Sequence, residues 1–274
     1  MASPAPAAGP LFAHWLAWEV EPLHAGALGS ARVEVENAGS ATWRPGPLTG
    51  VNLGYHWLDD LGNPIVWDGE RTILERPIAP GERLRATARV RAPIPPGRYR
   101  LAFDLVDERR LWFAEVGSPP LELELDVGPR IERALAARGG DRDALAAQEE
   151  PLVEEDDADA VAFLADGCAP APDWSRRVLD AHQEGYAVVA GSIDAGRGLL
   201  GRRPRELAPW VPGLGRVPGF PHPLLCPSIV RGVEVEWGEP VAGLPAARPL
   251  GGEPWLYDGR IAITARRRSG RRTG

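Results

Sequence analysis

Aromatic side chains are concentrated early in the chain, where six of the ten tryptophans lie between residues 15 and 112. Six exceed what the core of one small domain requires, so some are expected to be exposed. An exposed tryptophan forgoes burial worth roughly 2–3 kcal/mol, and its flat ring suits stacking on a sugar or a peptide. Packing in the core and at its rim is one interpretation, and an aromatic binding platform is the other. The candidate ligand-binding residues are Trp15, Trp18, Tyr55, Trp57 and Trp67.

Strand periodicity predicts how these aromatic residues are arranged. In an extended strand successive side chains point to opposite faces, so Tyr55 and Trp57 should share a face, and Trp15 should face away from Trp18.

Cysteine and histidine provide a second set of reactive groups. Cys168 with His182 or His222 could form a nucleophile and base, but no oxyanion-binding or orienting partner accompanies them. We therefore interpret Cys168 and Cys226, the two cysteines of the chain, as reduced, buried thiols. The histidines show no metal-ligand spacing, so no metal site is predicted from them.

One glycine pattern matches the sequence motif of a phosphate-binding loop but not its structural context. Gly196, Gly198 and Gly201 satisfy G-x-G-x-x-G. A dinucleotide-binding loop must open a helix, whereas here Arg202-Arg203-Pro204 follows, so a flexible loop is the preferred interpretation.

Composition excludes several classes of function. The net charge is −7 and the pI about 5.4, which argues against nucleic acid as a partner. No apolar run approaches the roughly 18 residues of a membrane span, so membrane insertion is not expected. The N-terminal residues lack the basic start and apolar block of a secretory signal, and a cytoplasmic location is expected.

The segment 11–127 is predicted to be all β. Short runs of alternating or aromatic residues are separated by turns such as Leu61-Gly62-Asn63 and Pro95-Pro96-Gly97. The predicted strands are Phe12–Val20, Ala31–Asn37, Val51–Leu58, Pro64–Trp67, Arg71–Leu74, Arg83–Val90, Arg98–Val106, Leu111–Val116 and Leu121–Val127.

The remainder is predicted to be a linker followed by a smaller α/β region, so the fold class is mainly β with an α/β second half. Residues 128–159 form the helical and acidic linker, with one short helix around Ile131 and Leu135 and another at Asp143–Gln148. Residues 160–265 form the α/β region. Its predicted elements are a strand at Val161–Leu164, a helix at Asp173–Glu184, a strand at Tyr186–Ile193, a strand at Ile229–Trp237, and a hairpin of Trp255–Tyr257 with Arg260–Ala265 through Asp258-Gly259. The arginine-rich tail, 266–274, is predicted to be disordered.

The first half resembles the four-tryptophan Ig-like domain of selective-autophagy cargo receptors and many bacterial proteins. The similarity is carried by NAGSATW at 37–43, PGE at 80–82 and APIPPGRYR at 92–100. Val33 and Phe103 take the places of the family's first and third tryptophans. The resemblance implies an Ig-like β-sandwich over residues 11–127.

Residues 160–193 resemble a fragment of the family 2 glycosyltransferases of the GT-A fold. An apolar strand leads into the triplet Ala165-Asp166-Gly167, followed by a Pro-x-Pro segment and a helix that begins with a tryptophan. In that family the outer carboxylates of the triplet coordinate a divalent cation, Mn²⁺ or Mg²⁺. Ala165 and Gly167 occupy those positions here, so the resemblance implies a degenerate, carbohydrate-associated remnant.

These observations lead to three hypotheses of function. The first is a non-catalytic binding protein that works near surface-glycan synthesis, with a protein or a glycan as its partner and no cofactor. The second is a metal-dependent glycosyltransferase that uses Asp166 with another carboxylate, such as Asp173 or Asp194. The third is a purely structural adaptor. The replaced carboxylates at positions 165 and 167 favour the first.

Overall fold

The computed structural model describes residues 9–196 and 204–265 and is mainly β. The chain divides into two compact units, Met1–Gly128 and Pro129–Gly274. We refer to them as the first and the second unit.

The first unit contains two sheets. Their strands are β1 Ala13–Val20, β2 Leu23–His24, β3 Leu28–Asn37, β4 Val51–Leu58, β5 Pro64–Val66, β6 Thr72–Ile73, β7 Arg83–Arg91, β8 Gly97–Asp107, β9 Leu111–Trp112 and β10 Leu121–Gly128. One sheet is three-stranded with the order β1-β3-β7, and the other has the order β2-β10-β8-β4-β5, with β6 and β9 paired to β4 and β8.

Both sheets contribute to one hydrophobic core, and β7 shows how the sequence produces it. Leu84, Ala88 and Val90 are buried in that core, whereas Arg83 and Arg85, which alternate with them, are exposed. A sheet with one buried and one wet face requires this period of two. The alternation therefore predicted these strands closely; the main difference is that Phe113–Val116 forms a 3-10 turn instead of extending β9.

The sequence pattern of residues 37–43, NAGSATW, is explained by the buried hydrogen bonds of Asn37, which we call the Asn37 clamp. The Asn37 side chain is fully buried and donates to the carbonyls of Ala41 and Ile78, both at 2.9 Å. Gly39 passes so close to the chain that a Cβ there would lie 2.4 Å from the Pro10 carbonyl oxygen. The Asn37 clamp holds the loop so that Trp43, which is fully buried, lies in the core.

We expect the first unit to fold by itself, because its two sheets share a complete core. A fragment of residues 9–128 should show one sharp thermal transition by circular dichroism. A fragment that melts without a cooperative transition would contradict this and would show that its stability depends on the rest of the chain.

The second unit is built on a mixed sheet. The elements of the unit are β11 Leu135–Arg138, α1 Arg142–Ala146, β12 Ala160–Phe163, β13 Cys168–Pro170, α2 Trp174–Glu184, β14 Val188–Asp194, β15 Arg216–Pro218, β16 Leu224–Leu225, β17 Ser228–Val230, β18 Val235–Trp237, β19 Ala246–Pro249 and β20 Trp255–Ala265. The strand order of the mixed sheet is β11-β12-β17-β14-β20-β13, with β15 also paired to β20, and β16-β19-β18 form a smaller sheet.

Helix α2 follows from its sequence pattern. Trp174, Val178 and Leu179 are buried on one face, as apolar residues at spacings of three and four require. Gly185, at φ 134°, ends the helix as predicted.

The segment predicted as a linker belongs to the second unit. The expected helix around Leu135 is strand β11, which pairs in parallel with β12. The acidic run after it is also structured: the Asp159 carboxylate accepts hydrogen bonds from the backbone amides of Arg133 and Ala134, at 2.9 and 2.8 Å. Glu149 pairs with Arg176 at 2.7 Å. Carboxylates at both ends of the run therefore hold an arginine and backbone amides of the same unit.

Two predicted strands of the second unit are also corrected. The strand expected at Ile229–Trp237 is divided into β17 and β18 by a turn at Gly232, whose φ is 81°. The expected hairpin at Asp258-Gly259 is absent, because β20 runs on through both residues. The Asp258 carboxylate accepts from the backbone N–H of Arg260 at 3.0 Å, and the extra residues form an irregularity between Gly191 and Ser192 in the pairing with β14.

Candidate functional site

Two of the five candidate binding residues lie in the core of the first unit. Tyr55 and Trp57 are 2% and 0% exposed. The Tyr55 hydroxyl accepts from the backbone N–H of Arg91 at 3.0 Å, and the Trp57 indole donates to the Arg91 carbonyl at 2.9 Å. They share a face, as expected, but that face is the interior, so neither can contact a ligand.

Trp15 is partly buried and also has a structural role. Its indole N–H donates to the Pro119 carbonyl at 3.2 Å, and the ring packs against the core. A β-bulge between Trp15 and Ala17 breaks the alternation of β1. Trp15 pairs with Val35 and Trp18 with Val33, two residues of one face of β3, so the expectation that Trp15 faces away from Trp18 is wrong.

Trp67 is exposed, but its ring is held by its neighbours. It is 52% exposed and stacks on His56, with ring centroids 4.2 Å apart. His56 is buried between Trp67 and Trp112, and its Nδ1 contacts the Trp67 carbonyl. Burial, together with the nearby Arg71, lowers the pKa of His56. This aromatic cluster covers the side of β4 opposite Tyr55 and Trp57.

Trp18 is the candidate residue that lines an open groove. It is 51% exposed and stands on β1, an edge strand of the three-stranded sheet. The groove has a volume of about 290 Å³. We call it the Trp18 groove; its lining residues are Ala17, Trp18, Glu19, Arg32, Val33, Glu34, Arg85, Ala86 and Thr87.

Two cross-strand ion pairs define the polar part of the Trp18 groove. Arg32 of β3 donates to Glu19 of β1 at 2.8 Å, and Arg85 of β7 donates to Glu34 of β3 at 3.0 Å. The hydrogen bond that Arg32 donates to Glu19 raises the pKa of Arg32. Exposed pairs of this kind contribute little to stability. They leave the groove electrically balanced, with fixed donors and acceptors along its wall.

The sequence indicated Trp18 but not its surroundings. Nothing in the local pattern marks Arg32, Glu34 or Arg85 as different from other charged residues on the wet face of a sheet. They come together with Trp18 only through the pairing of β1, β3 and β7.

The second unit contains a separate cleft of about 430 Å³, and Asp166 lies in its wall. Cys168 and Glu206 also line it, and Glu206 was not predicted because it lies in a Gly- and Pro-rich stretch. Asp173 and Asp194 are not among the described residues that line the cleft. The Asp173 carboxylate instead binds Arg177 at 2.5 Å, and that of Asp194 accepts from the backbone N–H of Gly196 at 3.0 Å.

The cleft does not match the donor set that a hard divalent cation requires. Mg²⁺ and Mn²⁺ prefer several oxygen ligands in a near-octahedral arrangement. Asp166 is flanked by Ala165 and Gly167, which offer no ligating side chain. No cluster of three or more His, Cys, Asp or Glu side chains suited to a metal is found within residues 9–196 and 204–265.

The nucleophile and base pair considered for Cys168 is not formed. His182 is fully buried; its Nδ1 contacts the Tyr186 carbonyl at 2.7 Å and its Nε2 contacts the Ser228 hydroxyl at 2.8 Å. A carbonyl can only accept, so Nδ1 carries the proton and Nε2 accepts from Ser228. His222 packs against Trp210, with ring centroids 5.7 Å apart.

Two sequence features fall partly or wholly outside the described residues. Gly198 and Gly201 of the glycine pattern lie there, and so does the arginine-rich tail 266–274.

Comparison with known proteins adds little to this picture. No protein-family model matches the chain. Among solved structures, the chain is similar to the putative ApaA protein from Bordetella pertussis at 18% identity, with a TM-score of 0.27, over 44% of this chain and 97% of that one. A likeness this slight does not define the fold. Of the helices in the described ranges, none is long and apolar enough to cross a bilayer.

Proposed function

We propose that this protein is a non-catalytic binding protein whose first unit binds a neutral glycan in the Trp18 groove. The observation that carries the proposal is the position of Trp18, half exposed at the edge of a groove that contains two Arg–Glu pairs. A cytoplasmic role near surface-glycan synthesis, with a glycan or a glycan-processing enzyme as partner, is part of the same proposal.

The chemistry of the groove favours a sugar. The apolar face of a pyranose ring packs on the flat ring of tryptophan, while its hydroxyl groups need donors and acceptors close by. Arg32 and Arg85 supply donors, and Glu19 and Glu34 supply acceptors. Because positive and negative groups are equal in number here, the groove has no net attraction for phosphate or other anions.

The proposed fold assignments agree with this role. An Ig-like sandwich for the first unit is supported by the two sheets around one core and by the Asn37 clamp that seats Trp43. A GT-A-like remnant for the second unit is supported by the succession of β12, the Asp166 turn, β13, α2 and β14. Such a remnant beside a glycan-binding unit would place both halves in carbohydrate metabolism.

A metal-dependent glycosyltransferase is the second candidate, because Asp166 and Glu206 line a cleft large enough for a ligand. Isothermal titration with nucleotide-sugars and Mn²⁺ distinguishes the two. Micromolar, metal-dependent binding that is lost in Asp166→Ala would overturn the non-catalytic proposal. An absence of such binding together with sugar binding in the Trp18 groove is the result we expect.

Replacing Trp18 with alanine should weaken glycan binding by roughly 10- to 30-fold, because a tryptophan anchor typically contributes about 2 kcal/mol. The affinity is measured by calorimetry against a panel of neutral hexose and N-acetylhexosamine oligosaccharides.

Trp67→Ala is the matched control for that variant, since Trp67, which directly follows β5, is exposed to the same extent, 52% against 51%. It should leave affinity unchanged. If both variants lose affinity equally, or if Trp18→Ala binds the oligosaccharide as tightly as the wild type, the Trp18 groove is not the glycan-binding site.

A further inference from the structure

The fold brings the two cysteines of the chain together, and this observation is independent of the proposed glycan site. Cys168 and Cys226 lie 58 positions apart in the sequence. The Phe163 N–H donates to the Pro227 carbonyl at 2.9 Å, which brings the segment of Cys226 against the strand that leads to Cys168, and the two thiols are near neighbours. They are 1% and 2% exposed. The sequence predicts two reduced, buried thiols without indicating that they meet, and the structure makes them neighbours.

Each cysteine is held firmly by the backbone around it. The Cys168 N–H donates to the Ala165 carbonyl at 3.1 Å, which closes the turn that carries Asp166, and its carbonyl accepts from Asp141 N–H at 2.8 Å. Cys226 donates from its N–H to the Pro245 carbonyl at 2.9 Å. Its φ of 48° is in the left-handed region that residues other than glycine rarely adopt. The contact between the thiols is therefore built into the fold.

The two thiols are not equivalent. Cys168 lines the cleft, whereas Cys226 is not among the described residues of its wall. The neighbouring Cys226 thiol lowers the pKa of Cys168. The same contact and burial raise the pKa of Cys226. The cysteine in the wall of the cleft is therefore also the one whose thiol ionises more readily, and the thiolate is the reactive form.

We propose that Cys168 and Cys226 form a reversible disulfide when the protein meets a small hydroperoxide. The Cys168 thiolate attacks one peroxide oxygen; an S–O bond forms, the O–O bond breaks, and hydroxide leaves and takes up a proton to become water. The Cys226 thiol then loses its proton, and its sulfur attacks that of Cys168. The S–O bond breaks, the S–S bond forms, and a second water leaves. Two thiols are oxidised by two electrons in total, and hydrogen peroxide is reduced to two waters.

The disulfide would join the Asp166 turn to the segment before β17 and close a long loop of the second unit. Closing a loop of this length restricts the unfolded chain, so the oxidised second unit should melt about 10 °C higher than the reduced one. A dithiol such as dithiothreitol should reverse the shift.

The test treats the native full-length chain with a small excess of hydrogen peroxide at pH 7, then denatures it in N-ethylmaleimide and weighs it by mass spectrometry. We expect a monomer that has lost two hydrogens and gained no maleimide, with the peptides of Cys168 and Cys226 cross-linked. Two maleimide additions, oxygen added without a cross-link, or a disulfide-linked dimer would each overturn the proposal.

Single-cysteine variants test the order of the steps. In Cys226→Ser the sulfenic acid on Cys168 has no partner and should be trapped by dimedone, whereas in Cys168→Ser the remaining Cys226 should stay unmodified. Dimedone labelling of Cys226 in Cys168→Ser would contradict the proposed roles. Circular dichroism confirms folding, and the wild-type experiment remains decisive if either variant misfolds.

Discussion

Replacing Trp43 with alanine is expected to lower the free energy of unfolding of the first unit by about 3–5 kcal/mol, the usual cost of deleting a large core aromatic. Trp43 is fully buried and packs edge-on against Phe113, with ring centroids 5.7 Å apart. The backbone around it cannot collapse into the cavity, because the Asn37 side chain ties the loop to the Ile78 carbonyl. Urea unfolding followed by circular dichroism measures the effect.

A phenylalanine at position 43 should cost much less than alanine. It keeps most of the apolar volume and removes an indole N–H that has no hydrogen-bond partner within the described residues. If Trp43→Ala unfolds at the same urea concentration as the wild type, Trp43 does not anchor the core. If Trp43→Phe lowers the free energy of unfolding as much as Trp43→Ala, the indole itself is needed and apolar volume is not what stabilises the core at this position.

Acidification from pH 6.5 to pH 4 should destabilise the second unit by about 3 kcal/mol through His182 alone. Burial lowers the pKa of His182 from its ordinary 6.5 to about 4. In the unfolded chain the imidazole takes up a proton near pH 6.5, whereas in the folded unit it remains neutral to about pH 4. The unfolded state therefore binds more protons in this range, and stability falls as the pH falls.

His182→Gln removes the titrating group and keeps polar atoms that can reach Tyr186 and Ser228. The variant should be less stable at pH 7, and its stability should change less between pH 6.5 and 4 than that of the wild type. Urea titrations at several pH values give the change of the free energy of unfolding with pH for each protein. The contributions of the carboxylates, which both proteins share, cancel when the two slopes are subtracted. Identical slopes would mean that His182 becomes protonated without cost in the folded unit.

The first unit was largely predictable because its information is local. Alternation at Leu84, Ala88 and Val90 defines a strand with one buried face, and turn residues such as Gly62 and Gly81 mark where strands end. Alternation could not indicate two features of this unit. One is the bulge after Trp15, and the other is that β4 is covered on both faces, by the core and by the cluster of His56 with Trp67 and Trp112. Those features decide which aromatic residues are exposed.

The second unit was less predictable because its strands depend on distant partners. Leu135 begins a strand because β12, some 25 residues later, pairs with it. Gly259 continues a strand because it passes against Leu214, so closely that a Cβ would lie 1.9 Å from the Leu214 carbonyl oxygen. The same limit applies to the sites: the Arg–Glu pairs beside Trp18 and the contact between Cys168 and Cys226 are formed by residues remote in sequence.

The most direct test of the account follows the indole N–H resonances by NMR while a neutral oligosaccharide is titrated into the full-length chain. Glycan binding in the Trp18 groove predicts that the Trp18 resonance shifts and saturates, that the Trp67 resonance stays in place, and that added Mn²⁺ has no influence. A Trp18 resonance that does not move, with changes confined to residues around Asp166 and dependent on Mn²⁺, would contradict it.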